Sequence, residues 1–150
     1  MNPRLRLHLA VFGVYLLAAV LITYPLVTVL SARFGGFVYG DAYEMAHHLW
    51  WFKHALQTGQ PLFDGMMMGY PDGIAGVSLW ANPLQFFPAW LLAFVAPLPV
   101  AYNVMLLMSM ALNGVAMHAL ALYLTGDKVG PSLLAGLVFW LIDRLFPLAK

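Results

Sequence analysis

Two carboxylates and a histidine lie at helical spacing in a segment rich in tryptophan. Asp41, Glu44 and His48 are separated by three and four residues, so a helix through them would place all three side chains on one face. Carboxylates in such an arrangement are suited to act as a general base or to hold a divalent cation. The same Asp-x-x-Glu spacing is also a helix cap, in which Asp41 accepts hydrogen bonds from first-turn amides and Glu44 reaches back. The spacing alone favours the cap, and the two roles are compatible.

A second group of candidate residues lies in a predicted turn. The sequence Tyr-Pro-Asp-Gly at 70–73 is typical of a tight turn, since proline presets φ and glycine tolerates a positive φ. Sequence chemistry therefore favours a turn-stabilising role for Asp72 over a catalytic one. Between positions 33 and 79 the only bases are Arg33 and Lys53, which are the cations available there to meet a phosphate.

The histidines raise the alternative of a metal or haem site. A transmembrane haem needs histidines that face each other from two spans, and structural zinc needs ligands that converge from close spacings. The chain has no cysteine and no His-Glu-x-x-His motif, so a histidine-ligated redox protein is the least favoured interpretation. His118 lies deep in an apolar run, where we expect a hydrogen bond to a neighbouring helix.

The composition indicates that lipid, more than water, surrounds these residues. Of 150 residues 63% are hydrophobic and only 9% are charged, with seven basic and six acidic side chains. A soluble domain carries about 25% charged residues, so this chain cannot cover a globular surface with them. The net charge is +1 and there is no run of Lys or Arg, which excludes nucleic-acid binding. The absence of cysteine excludes disulfides and thiolate metal sites.

The uncharged stretches predict an all-α integral membrane protein, in one transmembrane domain over 1–150. A span needs about 20 apolar residues, because only a helix satisfies its own backbone in lipid. Arg4 and Arg6 precede a first apolar run that is too long for a signal peptide, so the N-terminus is expected in the cytoplasm. We predict spans at about 7–32, 79–96, 101–124 and 131–147, with an outer loop at 33–78.

The connections between the predicted spans follow from proline and glycine. Pro97 and Pro99 break the longest uncharged stretch. The preceding span at 79–96 contains two further prolines, so it is expected to be kinked or partly re-entrant, which would change the orientation of everything after it. In the outer loop, the segment that begins at Asp41 is predicted to form a helix along the membrane surface, ended by Thr58-Gly59, because its Tyr and Trp side chains favour the headgroup layer.

The order of these features resembles the N-terminal part of the GT-C superfamily of membrane glycosyltransferases. The resemblance is carried by Thr-Tyr-Pro-Leu at 23–26, Gly-Asp at 40–41, Tyr-Pro-Asp-Gly at 70–73, Ala-Tyr-Asn at 101–103 and Leu-Thr-Gly at 124–126. It is nearest to bacterial GT39-like and YfhO-like membrane proteins, and more distant from the oligosaccharyltransferase catalytic subunit. It covers about residues 16–139, and its specificity lies in the order and spacing of short motifs.

The resemblance implies inverting transfer of a sugar from a polyprenyl-phosphate donor at the outer face of the plasma membrane. Asp41 would be the general base or a ligand of a divalent cation, Mg²⁺ or Mn²⁺, and Glu44 would assist it or cap the helix. Tyr70, Asp72, His48 and Lys53 are the candidates for contact with the substrate, with the 70–73 turn shaping the loop over the donor.

Two expectations accompany this assignment. The later acidic loop and the acceptor-recognising region of such enzymes are missing, so the chain is expected to be an N-terminal fragment that needs further helices or a partner subunit. The alternative is a non-catalytic membrane scaffold or transporter subunit in which Asp41 and Glu44 only cap a helix.

Overall fold

The computed structural model describes residues 2–36, 42–62, 64–65, 72, 74–75 and 83–145, and this part of the chain is α-helical. The predicted helical class is therefore confirmed. The helices are α1 (Pro3–Ile22), α2 (Ala42–Thr58), α3 (Pro83–Val95), α4 (Leu98–Leu124) and α5 (Val129–Leu145). A 3-10 helix at Leu26–Val29 follows α1, and two short strands, β1 (Asp64–Gly65) and β2 (Ile74–Ala75), lie between α2 and α3.

Two of the helices are long and apolar enough to cross a membrane. These are the 19 residues Arg4–Ile22 within α1 and the 27 residues of α4. A helix rises 1.5 Å per residue, so α4 is about 40 Å long and exceeds a hydrocarbon core of about 30 Å. The 13 residues of α3 reach only about 20 Å, and the 17 residues of α5 about 26 Å. The described helix within the predicted span at 79–96 is therefore shorter than a full crossing, while 79–82 lie outside the described residues.

The first helix ends ten residues before the predicted end of its span, at Ile22 and not at position 32. The hydroxyl of Thr23 donates to the carbonyl oxygen of Ala19 at 2.7 Å. Pro25 cannot donate a backbone hydrogen bond and disfavours a helical conformation in the residue before it. The chain therefore leaves the α-helix and continues as the 3-10 helix that starts at Leu26.

The other helix boundaries lie close to the predicted ones. The predicted break at Pro97 and Pro99 is present, because α3 ends at Val95 and α4 begins at Leu98. At the far end of α4, Gly126 and Asp127 adopt φ values of 65° and 63°. The amide of Asp127 donates to the carbonyl of Leu122 at 3.0 Å, which ends the helix with a left-handed turn.

The chain divides into two compact units. The first comprises Met1–Tyr24 and Leu107–Lys150, the second Pro25–Leu106. In the first unit, Tyr15 is buried and its hydroxyl donates to the carbonyl of Leu133 at 3.0 Å. The ring of Tyr15 occupies the space that a Cβ would need at Gly114 and at Gly136, so these glycines allow the three helices to approach closely.

The core of the second unit lies between α2, α3 and the beginning of α4. The ring of Phe52 stacks on that of Trp90, with centroids 4.4 Å apart. Leu49 is fully buried in the same cluster. Burial of such side chains contributes roughly 1.5–3 kcal/mol each, so this cluster holds α2 in place and thereby fixes the candidate residues on it. The buried members of the cluster are Ala46, Leu49, Phe86, Ala89, Trp90, Tyr102 and Met105.

Candidate functional site

The principal candidate, Asp41, lies outside the described residues, as does Tyr70. The helix that follows Asp41 begins at Ala42. The described residues nearest to Asp41 are those up to Gly36, which precede it, and the first turn of α2, which follows it.

The two ends of the segment that contains Asp41 lie close together. Gly36 has a φ of +131°, and a Cβ at that position would be 3.1 Å from the Cβ of Ala42. Positions 37–41 therefore connect two points of the backbone that are nearly in contact.

Asn103 holds the chain that enters this segment. Its Nδ2 donates to the carbonyl oxygens of Leu30 at 2.9 Å and Arg33 at 2.7 Å, and its Oδ1 accepts from the amide of Gly35 at 2.8 Å. The side chain is fully buried. Buried polar groups are costly unless they are hydrogen-bonded, so these three bonds fix 30–35 against α4. Sequence reasoning did not assign this role to Asn103, and the only signal was an amide side chain at the start of an apolar run.

Glu44 and His48 lie on one face of α2, as their spacing predicted. The Oε1 of Glu44 is 3.8 Å from the Nε2 of His48, while His48 is 8% exposed and the side chain of Glu44 is 55% exposed. Burial lowers the pKa of His48, and the carboxylate of Glu44 opposes that shift. The imidazole is therefore neutral near pH 7, and the exposed Glu44 remains accessible from solution.

A neighbouring face of α2 carries His47, Trp51 and His54. The ring of His47 stacks on that of Trp51 at a centroid distance of 6.5 Å, and Trp51 lies 5.8 Å from His54. Burial lowers the pKa of His47, and the neighbouring His48 lowers it further. Nowhere in the described ranges do three His, Cys, Asp or Glu side chains come together in a group that could hold a metal ion.

Lys53 is engaged in the structure rather than free to meet a phosphate. Its Nζ donates to the carbonyl oxygen of Ala93 at 2.9 Å, in the last turn of α3, where a cation interacts favourably with the helix dipole. Lys53 follows Glu44 by nine residues, which places it about 13 Å further along α2 and on the opposite side. The structure therefore does not bring these two candidates together.

Lys53 also lines a cavity of about 300 Å³ with Trp50, His54, Gln57 and Pro97. The rings of Trp50 and His54 stack there at a centroid distance of 4.7 Å. The cavity combines a stacking surface with polar donors, but the Lys53 ammonium is already hydrogen-bonded to α3.

Asp72 lies in a turn and is exposed, whereas the other three residues of the turn predicted at 70–73 lie outside the described residues. The turn falls between β1 and β2, which pair antiparallel with Asp64 opposite Ala75 and Gly65 opposite Ile74. Sequence reasoning predicted no strands here, because two-residue strands carry no alternation pattern.

His118 and His8 face each other within the first unit. Their ring centroids are 6.2 Å apart, with an angle of 76° between the ring planes. His118 is fully buried and lies against the backbone of Ser132 in α5, the expected neighbouring helix. Neither ring nitrogen of His118 makes a hydrogen bond of normal geometry among the described residues, so the expected hydrogen bond to the neighbouring helix is not found there.

Comparison of the chain with known protein families, with curated protein sequences and with solved structures finds no match.

Proposed function

We propose that this chain is the N-terminal region of a GT-C-type membrane glycosyltransferase, with four membrane segments and Asp41 at the reaction centre. The observation that carries the proposal is the close approach of Gly36 to Ala42, since it brings the chain that precedes Asp41 to the N-terminus of α2, where Glu44 is exposed. The apolar helices α1 and α4 support insertion in a membrane, which we propose to be the plasma membrane. A catalytic carboxylate must be held within a fraction of an ångström, and a fixed helix start serves that purpose.

In the proposed reaction the donor is a sugar linked to a polyprenyl phosphate. The carboxylate of Asp41 removes the proton from an acceptor hydroxyl, and the acceptor oxygen forms a new bond to the anomeric carbon. The bond from that carbon to the phosphate oxygen breaks, and the polyprenyl phosphate leaves with the electron pair. Attack opposite the leaving group inverts the configuration. A lipid-anchored donor can place its reacting carbon only near the headgroup plane, which is where a helix along the membrane surface would present Asp41.

A divalent cation fits the described residues only in part. Glu44 supplies a carboxylate, but its close neighbour His48 is a neutral nitrogen donor, whereas Mg²⁺ prefers an octahedral set of oxygen ligands. Asp41 would be needed as a further oxygen donor. The reaction above therefore uses the carboxylates as base and positioning groups, with no step through a metal.

The test is direct transfer. Membranes that contain the chain together with the further helices or partner subunit that it is expected to need are incubated with polyprenyl-phosphate donors carrying different radiolabelled sugars, and free polyprenyl phosphate and labelled product are measured. We expect product and polyprenyl phosphate in equal amounts with at least one donor. Release of neither, from membranes in which the protein resists alkaline extraction, would contradict the proposed activity while leaving the membrane assignment intact.

A non-catalytic membrane subunit is the second candidate. The observation in its favour is the hydrogen bond from Lys53 to the carbonyl oxygen of Ala93 in α3. A phosphate-binding site would use this cation, but here it is bound to the end of a helix. In that case Asp41 and Glu44 would only cap α2, and substitution at Asp41 would change stability without changing any transfer.

A further inference from the structure

A cavity of about 360 Å³ lies in the first unit, where α1 begins, α4 ends and α5 begins. Its polar lining includes Arg4, His8 and Asp127, and its apolar lining includes Leu7, Leu122 and Val129. This cavity is distinct from the proposed transferase site, because all its lining residues belong to the other compact unit.

Two opposite charges line this cavity without pairing. Arg4 and Asp127 are both exposed, and neither forms an ion pair with any described residue. Two exposed side chains of opposite charge attract each other only weakly across solvent. A ligand that carries both a negative and a positive group can form an ion pair with each of them. The local fold fixes the acidic side, because the backbone of Asp127 has a φ of 63° and its amide donates a hydrogen bond to the carbonyl oxygen of Leu122.

The position of the cavity along the two apolar helices indicates the source of such a ligand. Arg4 is the first residue of the apolar segment Arg4–Ile22, and Asp127 follows the last residue of α4 by three positions. If these helices span the bilayer, the cavity lies at headgroup depth. Leu5 and Leu9 on α1, with Leu120 and Leu124 on α4, are exposed and supply apolar surface for acyl chains.

We propose that this cavity binds the headgroup of a phosphatidylethanolamine-type phospholipid, an inference that rests on the proposed membrane insertion. The lipid phosphate accepts charge-assisted hydrogen bonds from the guanidinium of Arg4, with His8 as a neighbouring donor. The primary ammonium donates to the carboxylate of Asp127. A phosphatidylcholine headgroup has no N–H to donate, and a phosphatidylglycerol headgroup has no cation, so neither fits both walls.

The test uses the detergent-solubilised full chain with dioctanoyl phosphatidylethanolamine, phosphatidylcholine and phosphatidylglycerol, and native mass spectrometry measures the apparent Kd for each lipid. We expect saturable binding of one phosphatidylethanolamine, with a preference of about tenfold over the other two lipids. Asp127→Asn should abolish this preference, since asparagine tolerates the same positive φ while losing the charge. Arg4→Gln should weaken binding of all three lipids, and Lys128→Gln, on an exposed neighbour outside the cavity lining, should change nothing.

Equal affinity for the three lipids, or an unchanged preference in Asp127→Asn, would overturn the proposal. Phosphoethanolamine without acyl chains is the control for a soluble zwitterion, and equally tight binding of it would assign the cavity to a free ligand and overturn the lipid assignment. Failure of the proposed glycosyl transfer leaves these lipid measurements unaffected, since no cavity residue takes part in that reaction. Failure of membrane insertion is detected separately by alkaline extraction.

Discussion

The side-chain oxygen of Asn103 accepts a 2.8 Å hydrogen bond from the backbone amide of Gly35, which joins the beginning of α4 to the segment that leads toward Asp41. A single buried amide thus links one of the two long apolar helices to Gly35, 68 residues earlier in the chain. Because the same side chain also binds two carbonyls of 30–33, its effect extends over a whole turn of backbone.

Replacing Asn103 with leucine should destabilise the protein strongly. Three part-buried backbone groups, at Leu30, Arg33 and Gly35, would lose their partner, and each such loss costs about 1–3 kcal/mol, partly relieved by water. We expect the free energy of unfolding to fall by roughly 2–4 kcal/mol, measured by denaturant titration in detergent. Asn113→Leu makes the same change at an exposed position of the same helix and should have little effect. Equal stability of the two variants would contradict the role of Asn103.

Gly36→Ala should be destabilising for a different reason. The φ of +131° is strained for any residue with a Cβ, and the new methyl group would meet the Cβ of Ala42 at 3.1 Å. The expected loss is about 1–3 kcal/mol in a thermal or denaturant unfolding experiment. Gly130→Ala is the matched control, because no atom lies within 4 Å of a Cβ there and its φ is outside the glycine region. A loss no greater than that of the control would show that the contact of Gly36 with Ala42 does not constrain the chain.

The buried imidazoles of α2 predict a pH dependence of stability. Burial lowers the pKa values of His47 and His48 in the folded protein below the value of about 6.5 expected in the unfolded chain. The unfolded state therefore binds more protons, so the contribution of the neutral rings is present above about pH 6.5 and is lost as the pH falls through the folded-state pKa values. We expect a lower Tm near pH 5 than near pH 8.

The double variant His47→Gln/His48→Gln should reduce this difference in Tm, whereas His54→Gln should leave most of it. Glu44→Gln should enlarge it, because the carboxylate that opposes the lowered pKa of His48 is removed. A Tm difference that is identical in the wild type and the double variant would assign the pH dependence to other groups.

The helix ends show how much of the fold the sequence could predict. Proline and glycine act through their own backbone, so the break at Pro97 and Pro99 and the exit at Gly126 were readable locally. The end of α1 was missed because hydrophobicity continues past Pro25, and the length of uncharged sequence was given more weight than the proline.

In the candidate site, too, the local features could be predicted and the long-range contacts could not. The pairing of Glu44 with His48 follows from a helical spacing of four residues and was predicted. The bonds of Asn103 to the 30–35 segment and of Lys53 to Ala93 join residues 40 or more positions apart, and no local pattern indicates such partners. Lys53 is an example: its charge predicted a contact with a phosphate, whereas in the structure its Nζ donates to the carbonyl oxygen of Ala93 in the last turn of α3.

The rate of sugar transfer in Asp41→Asn membranes tests the central claim most directly. Asparagine keeps the size and capping ability of the side chain but cannot take a proton, so we predict a loss of transfer of about 100-fold or more with normal membrane insertion. Asp64→Asn removes the same charge elsewhere in the same loop and should retain transfer. Transfer by Asp41→Asn at the rate of the wild type and of Asp64→Asn would contradict a catalytic role for Asp41.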